Sequence, residues 1–596
     1  MKTHRMLTIL KAALAVALAV AMLPLTAIMP LTAFGAVRYM PDVTAEMSQY
    51  QYWAQKSPGA KKVLATPEEI GQINQDIWAQ SKETRDLANW SEETFNATAF
   101  VEQLIASATS DAQYLYNVGS RYYPDGTKAD SWEALYQPLI DLCIDPDAGY
   151  VPGMEVTEGN SVIMPDRYAV CTTRTSLRVY PTEQRLLDDP SDPDFDNLFL
   201  TMVKVNEPMI IKTKSADGLY YLALTSCGSG WIPAADIAIC ADKAQWLDAW
   251  NTDNVLVVYD DKIYTEDSRF APETANRKLP MGTCLPLASE EEIQGRINNR
   301  TAHNNHVVWM PVRNDDGTFR KELALIGENR KVSEGYLPLT TSNILMVAMN
   351  QLGDTYGWGS MMGSEDCSGY ARDVYRCFGI DMPRSTNRTN GVLKNWDISE
   401  ASGMTDEQKL AMLKQMPPGS ILTFPGHEMI YLGREGDKLY VISSVSNVRM
   451  PGDDFNTRIR GCVINTLDVW RASNTSWLHN LTYVEIPYYA AAHADPAFEN
   501  PMTAQGNNVT VKSSTLRKNT AVIPAKKAFT VTDAKGKVTY AKLSGVRGIT
   551  VAKAGKVTVM KGMMKGTYSI DVRVKASGNS KYKKTTQTTT LQVTVK

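Results

Sequence analysis

Cys367 and His427 are the residues whose types and spacing could together do chemistry. In "GSEDCSGYARDVYRCFGID", residues 363 to 381, Tyr370, Ala371, Val374 and Phe378 recur at steps of three and four, and Gly379 closes the run. That spacing predicts a helix of about three turns. Asp366 stands at the N-cap position and Cys367 falls in the first turn, where unpaired N–H groups and the helix dipole favour negative charge. Such a setting can lower a thiol pKa from ~8.5 into the ~3.5–7.5 range. The cysteine's own N–H then lies ready to stabilise an oxyanion. This is the layout of a nucleophile, and a thiol nucleophile needs a base. His427 opens the expected strand "HEMIYLG" directly after Pro425-Gly426, sharing a face with Met429 and Tyr431. It is the only histidine between Cys367 and residue 478. A lone surface histidine is the plainer alternative.

The elements that must position this pair change character along the chain. Residues 40 to 157 read as helical. "SEETFNATAFVEQLIASATS" has a Ser91-x-x-Thr94 start, "SWEALYQPLIDLCID" continues the pattern, and "DPDAGYVPGMEVTEGN" breaks it. From about 158 to 340 short β segments and turns take over, with Asp217-Gly218 and Asp316-Gly317 as hairpin signals, and two tandem small β-barrels are expected. The acidic stretch "DDPSDPDFDN", 188 to 197, lacks the glycine and terminal glutamate of a calcium loop and reads as a solvated loop. Residues 340 to 490 place two helices before strands, an α+β arrangement with helices on one side of an antiparallel sheet. "NPMTAQGNN" reads as a linker, and the Thr/Val-rich hairpins beyond it as an immunoglobulin-like sandwich without the Cys–Trp–Cys framework.

At 596 residues the chain exceeds one hydrophobic core, so several domains are expected. Lys2, Arg5 and Lys11 precede an apolar run that ends in small residues near Ala33 to Ala36. That is the layout of a secretory signal peptide. Pro24 and Pro30 interrupt the run and no basic stop-transfer cluster follows, so cleavage is favoured over a retained anchor. No later segment approaches the ~20 apolar residues of a membrane span. The eight cysteines and six histidines are dispersed without CxxC or zinc-ligand spacing, so neither a metal nor another cofactor is implied. Residues 508 to 596 carry 19 Lys+Arg against Asp533 and Asp571, a charge of +17, while the rest holds 43 Lys+Arg and 63 Asp+Glu, a charge of −20. A basic tail on an acidic body suggests an anionic partner, with solubility alone as the plain alternative.

The stretch "YGWGSMMGSEDCSGYARDVYRCFGIDMPRSTNRTN" resembles the active-site segment of the NlpC-type cell-wall endopeptidases, a papain-like family, and "PPGSILTFPGHEMIYLG" resembles its histidine strand. "MPDRYAVCTTRTSLRVYP", "GSGWIPAADIAI" and "GYLPLTTSNILMVAMNQLG" are similar to the paired bacterial SH3-like domains of one subgroup, and to their joint with the catalytic domain. The resemblance covers roughly residues 60 to 490. It implies a thiol peptidase that hydrolyses peptidoglycan stem peptides, usually between γ-D-glutamate and the diamino acid, with Cys367 attacking and His427 carrying the proton. Tyr356 would line the oxyanion side, Asp366 and Ser368 would touch the peptide's N-terminal part and the glutamate, and Arg384 with Ser385 would meet the glutamate α-carboxylate. Arg384 could equally be a solvated turn arginine. The family's histidine-orienting residue is usually His, Asn or Gln, but the matching position here is Ser443. A hydroxyl is a weaker orienter. Asn447 or His479 could serve instead, or the site could be degenerate.

The expected architecture is thus multidomain. It comprises a signal peptide (1–36), a helical N-terminal domain (37–157), two SH3-like barrels (158–245 and 246–339) and an α+β papain-like catalytic domain (340–492). A linker (493–507) and a basic Ig-like β-sandwich (508–596) complete it. The expected location is extracellular, at the cell wall. The expected partners are stem peptides and, for the tail, an anionic wall polymer such as teichoic acid, with a spacer or adhesion role as the rival; no nucleic-acid partner is expected. A non-catalytic wall-binding protein and a thiol acyltransferase are the alternatives to the peptidase.

Overall fold

Alternating burial along short segments builds most of this protein from antiparallel strands. The computed structural model describes residues 37–81, 83–91, 95–96, 99–100, 103, 121–129, 132–145, 163–251, 253–386, 397–488, 498–578 and 582–596. The chain falls into two compact units, Met1–Asp42 and Val43–Lys596. The described part of the first, residues 37–42, holds a turn at Pro41 and Asp42; the expected signal peptide lies outside the described residues. Everything below concerns the second unit.

The N-terminal segment contributes helices α1 (Tyr50–Ala54), α2 (Pro67–Gln80) and α3 (Trp132–Leu142). Thr66 and Glu69 close a capping box at the start of α2. The helix expected from Ser91 lies largely outside the described residues. Within it, Phe95–Asn96 instead pairs as a strand with Ile163–Met164, a case of pairing partners overriding local pattern.

Seven strands follow: β1 (Arg167–Cys171), β2 (Thr175–Arg178), β3 (Phe199–Val203), β4 (Pro208–Lys214), β5 (Tyr220–Thr225), β6 (Gly228–Pro233) and β7 (Ile237–Ile239). They form one antiparallel sheet in the order β3-β2-β6-β5-β4-β1-β7, closed around Val203, Met209, Ile211, Ala223 and Ile232. Gly218, at φ 71°, supplies the left-handed turn of the β4–β5 hairpin. Helix α4 (Lys243–Trp250) leads to a second group of strands: β8 (Val255–Val258), β9 (Lys262–Tyr264), β10 (Lys278–Pro280), β11 (Cys284–Pro286), β12 (Asn305–Arg313), β13 (Phe319–Gly327) and β14 (Val332–Glu334). These make three small sheets, β11-β8-β14, β9-β10 and β12-β13, around a core that includes Leu256, Leu285, Val308 and Ile326.

Helices α5 (Thr341–Met349) and α6 (Cys367–Arg376) come next, followed by β15 (Asp397–Glu400), α7 (Asp406–Leu413), β16 (Ile421–Phe424), β17 (His427–Glu435), β18 (Lys438–Val448), β19 (Thr457–Thr466), α8 (Trp477–Asn480) and β20 (Tyr483–Ile486). The six strands form one antiparallel sheet in the order β15-β20-β16-β17-β18-β19. Helix α6 packs against β17 and β18, and α5 against α6. The Tyr370 hydroxyl donates to the Ala348 carbonyl at 2.9 Å, pinning the two helices together. Among the described residues no helix is long and apolar enough to cross a membrane.

The tail is three small sheets on one core. Its elements are β21 (Thr503–Gly506), β22 (Asn508–Val511), α9 (Ser513–Lys518), β23 (Ala521–Ile523), β24 (Phe529–Thr532), β25 (Val538–Lys542), β26 (Ile549–Val551), β27 (Val557–Val559), β28 (Gly566–Ala576) and β29 (Thr585–Val595). One sheet runs β22-β29-β28-β25, with β22 and β29 parallel; another runs β23-β27-β26; β21 pairs with β24. Residues 503–506, expected in the linker, are therefore a strand, because their backbone hydrogen bonds go to β24. Ile570, Val572, Val574, Leu591 and Val593 fill the core, while Lys512, Lys526, Lys527 and Lys537 stand exposed.

Helix α1 anchors the N-terminal segment to the six-stranded sheet. Trp53 is fully buried, donates from Nε1 to the Met47 carbonyl at 2.8 Å and lies 5.2 Å from the Tyr440 ring of β18. Removing a buried aromatic of this kind costs about 3–5 kcal/mol. Trp53→Ala is therefore expected to lower the urea midpoint for unfolding of the six-stranded sheet. An unchanged midpoint would show that the segment lies outside that cooperative unit.

Candidate active site

Helix α6 begins where the sequence predicts and for the predicted reason. The Asp366 carboxylate accepts from the Gly369 backbone N–H at 2.8 Å, which caps the helix, and Cys367 is its first residue. The capping carboxylate does far more than cap. Arg384 grips it with two parallel bonds, Nη1 to Oδ1 at 2.9 Å and Nη2 to Oδ2 at 2.8 Å, and the Gly359 N–H adds a bond to Oδ2 at 3.0 Å. The other donors of Arg384 go to Ser368 Oγ at 3.1 Å, Ser360 Oγ at 3.0 Å and Thr201 Oγ1 at 2.7 Å. Its five N–H groups are thereby matched by five acceptors.

The sequence-based reading assigns both groups to the peptide substrate. Asp366 and Arg384 are buried and satisfy each other, so in this state neither presents a free group to a peptide. Ser368 is drawn into the same cluster. Ser385 is half-buried beside it, and the next residue, Thr386, brings its hydroxyl to 3.7 Å from the Cys367 thiol. Thr386 was not singled out in the sequence; its place two residues after Arg384 in "MPRST" is the only signal it leaves.

The thiol itself departs from expectation. Burial, and then the neighbouring Asp366 charge, push Cys367 up to about 12, in place of the lowering that a helix mouth suggests. The helix N-terminus is outweighed because Cys367 is only 9% exposed. The Thr386 hydroxyl and the Glu428 backbone N–H face the sulfur and work in the opposite direction.

His427 opens β17 after the tight turn at Gly426, whose φ is 84°. Its Nε2 lies 3.0 Å from Ser443 Oγ on β18. Asn447 and His479 have other partners: Asn447 donates to Ser446 Oγ, and the exposed His479 ring meets Asp406 at 3.1 Å. Two aromatic rings hold the imidazole, Trp477 at 4.7 Å and Phe424 at 5.4 Å between centroids. Burial, with the nearby Arg471 charge second, lowers His427 to about 3. Phe424 faces His427 across the tight hairpin turn, whereas nothing in the local sequence marks Arg471 or Trp477, because folding alone brings them to the histidine.

Tyr356 is buried, and its backbone N–H donates to the Arg460 carbonyl at 3.0 Å. Burial and the charges of Asp366 and Cys367 hold its phenol well above the ordinary range. Its ring contacts Phe195 at 6.2 Å. Phe195 belongs to the acidic stretch 188–197, which is no freely solvated loop. Asp192 pairs with Arg460, Asp194 lies 3.6 Å from the same guanidinium, and Phe195 packs on Trp358 and under Arg460. The docking follows from an aromatic residue that needs burial and carboxylates that meet two arginines of β19.

The seven-stranded sheet therefore forms one side of the site. Lys204 pairs with Asp373 of α6 at 2.7 Å, and Arg174 reaches Ser360 O at 2.5 Å and Glu365 at 3.3 Å. The segment between Trp358 and Gly363 is held in left-handed backbone at Gly359, Ser360 and Met362. A side chain at Gly359 would meet Phe199 at 2.5 Å, so glycine is required for that close approach.

Comparison with known proteins bears on this geometry. Residues 353–454 match the NlpC/P60 family model and residues 185–233 match an SH3 domain of the SH3b1 type. Among solved structures, an NlpC/P60 endopeptidase from Photobacterium damselae subsp. piscicida is similar with a TM-score of 0.54 at 17% identity, over 73% of this chain and 96% of that one. At that identity the likeness speaks for the fold alone. NlpC2 from Trichomonas vaginalis covers 52% of this chain and 97% of its own at 11% identity, with a TM-score of 0.20 that carries no argument. No curated protein matches the chain. The protein carries an NlpC/P60-family domain that contains Cys367 and His427, with an SH3b1-type domain before it in the chain.

Proposed function

We propose that this protein is a thiol endopeptidase of peptidoglycan stem peptides, acting at the bond between γ-D-glutamate and the diamino acid. One observation carries the reading. The Cys367 thiol faces the first residues of β17, where the Glu428 N–H reaches it, and the adjacent His427 has its far nitrogen held by Ser443 at 3.0 Å. With Nε2–H donated to Ser443, Nδ1 is the nitrogen left to accept the thiol proton.

In this mechanism the Cys367 sulfur attacks the scissile carbonyl while its proton passes to His427 Nδ1. The tetrahedral oxyanion meets the Cys367 N–H and the Tyr356 hydroxyl, which its raised pKa keeps protonated as a donor. The C–N bond then breaks, the imidazolium returns its proton to the leaving amine, and water hydrolyses the thioester with His427 as base. Asp366 and Arg384 serve by fixing the helix mouth, and Ser368 and Thr386 are the hydroxyls nearest the acyl part. Cys367→Ala is expected to abolish cleavage of defined muropeptides, read by mass spectrometry, with thermal unfolding unchanged. Cleavage retained by that variant would remove Cys367 as the nucleophile.

Burial of both groups favours a neutral thiol–imidazole pair at rest, with proton transfer accompanying attack. A cysteine held near 12 gains thiolate about tenfold per pH unit below that value. Alkylation of Cys367 by iodoacetamide should accordingly climb throughout pH 6–9; a plateau from pH 5 upward would mark a resting thiolate–imidazolium pair instead.

The same neutrality, with a hydroxyl as orienter, also suits a wall-binding protein whose catalysis has decayed, and Ser443 separates the readings. One neutral hydrogen bond is worth ~1 kcal/mol net. Ser443→Ala should therefore slow single-turnover cleavage by about fivefold. Equal rates would place the orienting role elsewhere, and a wild type inactive on every muropeptide would favour the binding protein.

A further inference from the structure

The arginines grouped about the site are not alike. Arg384 is held by Asp366, Arg174 by Glu365 and Arg460 by Asp192 and Asp194. Arg471 is different: among the described residues no carboxylate pairs with it. Its guanidinium lies over the Phe424 ring, with Cζ 4.8 Å from the centroid, and that ring stands 5.4 Å from His427. Stacking occupies the face of a guanidinium and leaves its in-plane fork of N–H donors open. The residue is half-buried, so water screens its charge only in part. Its position is fixed by the turn that carries it. The Arg471 N–H donates to Thr475 O at 2.9 Å, the Asn474 N–H to Arg471 O at 3.0 Å, and the flanking Trp470 exchanges backbone bonds with Arg449.

An unpaired cation beside a general base carries a cost. It opposes the imidazolium that His427 must become during the reaction, and it contributes to the lowered basicity of that ring. An anion delivered with the substrate would remove the cost at the moment of catalysis. The side on which that anion arrives follows from the chemistry. The leaving nitrogen takes its proton from His427 and so must lie within hydrogen-bonding reach of the imidazole. The acyl part lies instead towards the mouth of α6, where Arg384 and Arg174 are already held by Asp366 and Glu365.

We infer that Arg471 is a specificity-determining residue that recognises a carboxylate on the amino acid whose amine is released. The inference rests on the peptidase reading above and narrows its substrate class to leaving residues with a free carboxylate, either the α-carboxylate or one at the far end of a diamino diacid.

Three peptides with the same γ-D-glutamyl acyl part test it, with leaving residues lysine, lysine α-carboxamide and 2,6-diaminopimelate α-carboxamide. A charge-assisted hydrogen bond contributes enough for about a tenfold difference in kcat/KM. If the α-carboxylate is the one read, lysine should be cleaved about tenfold faster than its carboxamide by that arithmetic; if the distal one is read, both should be slow and the diaminopimelate amide about tenfold faster. A fast diaminopimelate amide would assign recognition to the distal carboxylate, and a slow one to the α-carboxylate. Arg471→Gln should bring the acid substrate down to the rate of the amide, and Arg471→Lys, which keeps charge without the fork, should retain part of the difference. Equal wild-type rates on all three peptides, or full discrimination in both variants, would overturn the inference. Should none of the peptides be cleaved, the peptidase reading falls, and calorimetric binding to the Cys367→Ala protein decides the inference separately. Tighter binding of the carboxylates that disappears with Arg471→Gln supports it, and indifference to the carboxylate overturns it.

Discussion

The bidentate bond between Asp366 and Arg384 is the interaction on which the rest of the site is built. Two buried charges are costly unless geometry and further hydrogen bonds compensate them, and here both conditions hold. Asp366 also caps α6 and fixes the Gly359 turn, while Arg384 reaches Ser360, Ser368 and Thr201 of β3. One ion pair thus joins the helix that begins at Cys367, the strained segment before it and the neighbouring β-sheet. Losing either partner would leave an unpaired buried charge at the mouth of α6.

Dense packing around that pair sets the electrostatic character of the site. Cys367 and His427 are nearly excluded from water, and desolvation drives each towards its neutral form. The aromatic walls of Phe424 and Trp477 fix the imidazole plane, so Ser443 need not supply orientation alone. Packing replaces part of what a charged orienting residue would do.

The seven-stranded sheet is a structural partner of the six-stranded sheet rather than an appended module. Lys204 and Arg174 satisfy buried polar groups of α6 and the segment before it, Thr201 accepts from Arg384 beyond α6, and Phe195 fills the space between Tyr356 and Trp358. The polar face of α6, which an isolated helix would turn to water, is therefore covered, and every residue from Cys367 to Tyr375 is buried.

Local grammar was enough to locate α6, its cap at Asp366, the strand that begins at His427, and the hairpins at Gly218 and Gly317, since each depends on residues a few positions apart. The NlpC/P60 resemblance was legible for the same reason, being carried by short contiguous motifs. Ionisation and contact were not legible. Whether Asp366 meets a substrate or Arg384, whether the thiol is lowered or raised, and whether the acidic stretch 188–197 is solvated or docked all depend on groups far apart in the chain. Thr201 lies 183 residues from the arginine it binds, and Asp192 lies 268 residues from Arg460. Desolvation and charge pairing are sums over everything packed nearby, and only the tertiary structure assembles those neighbours.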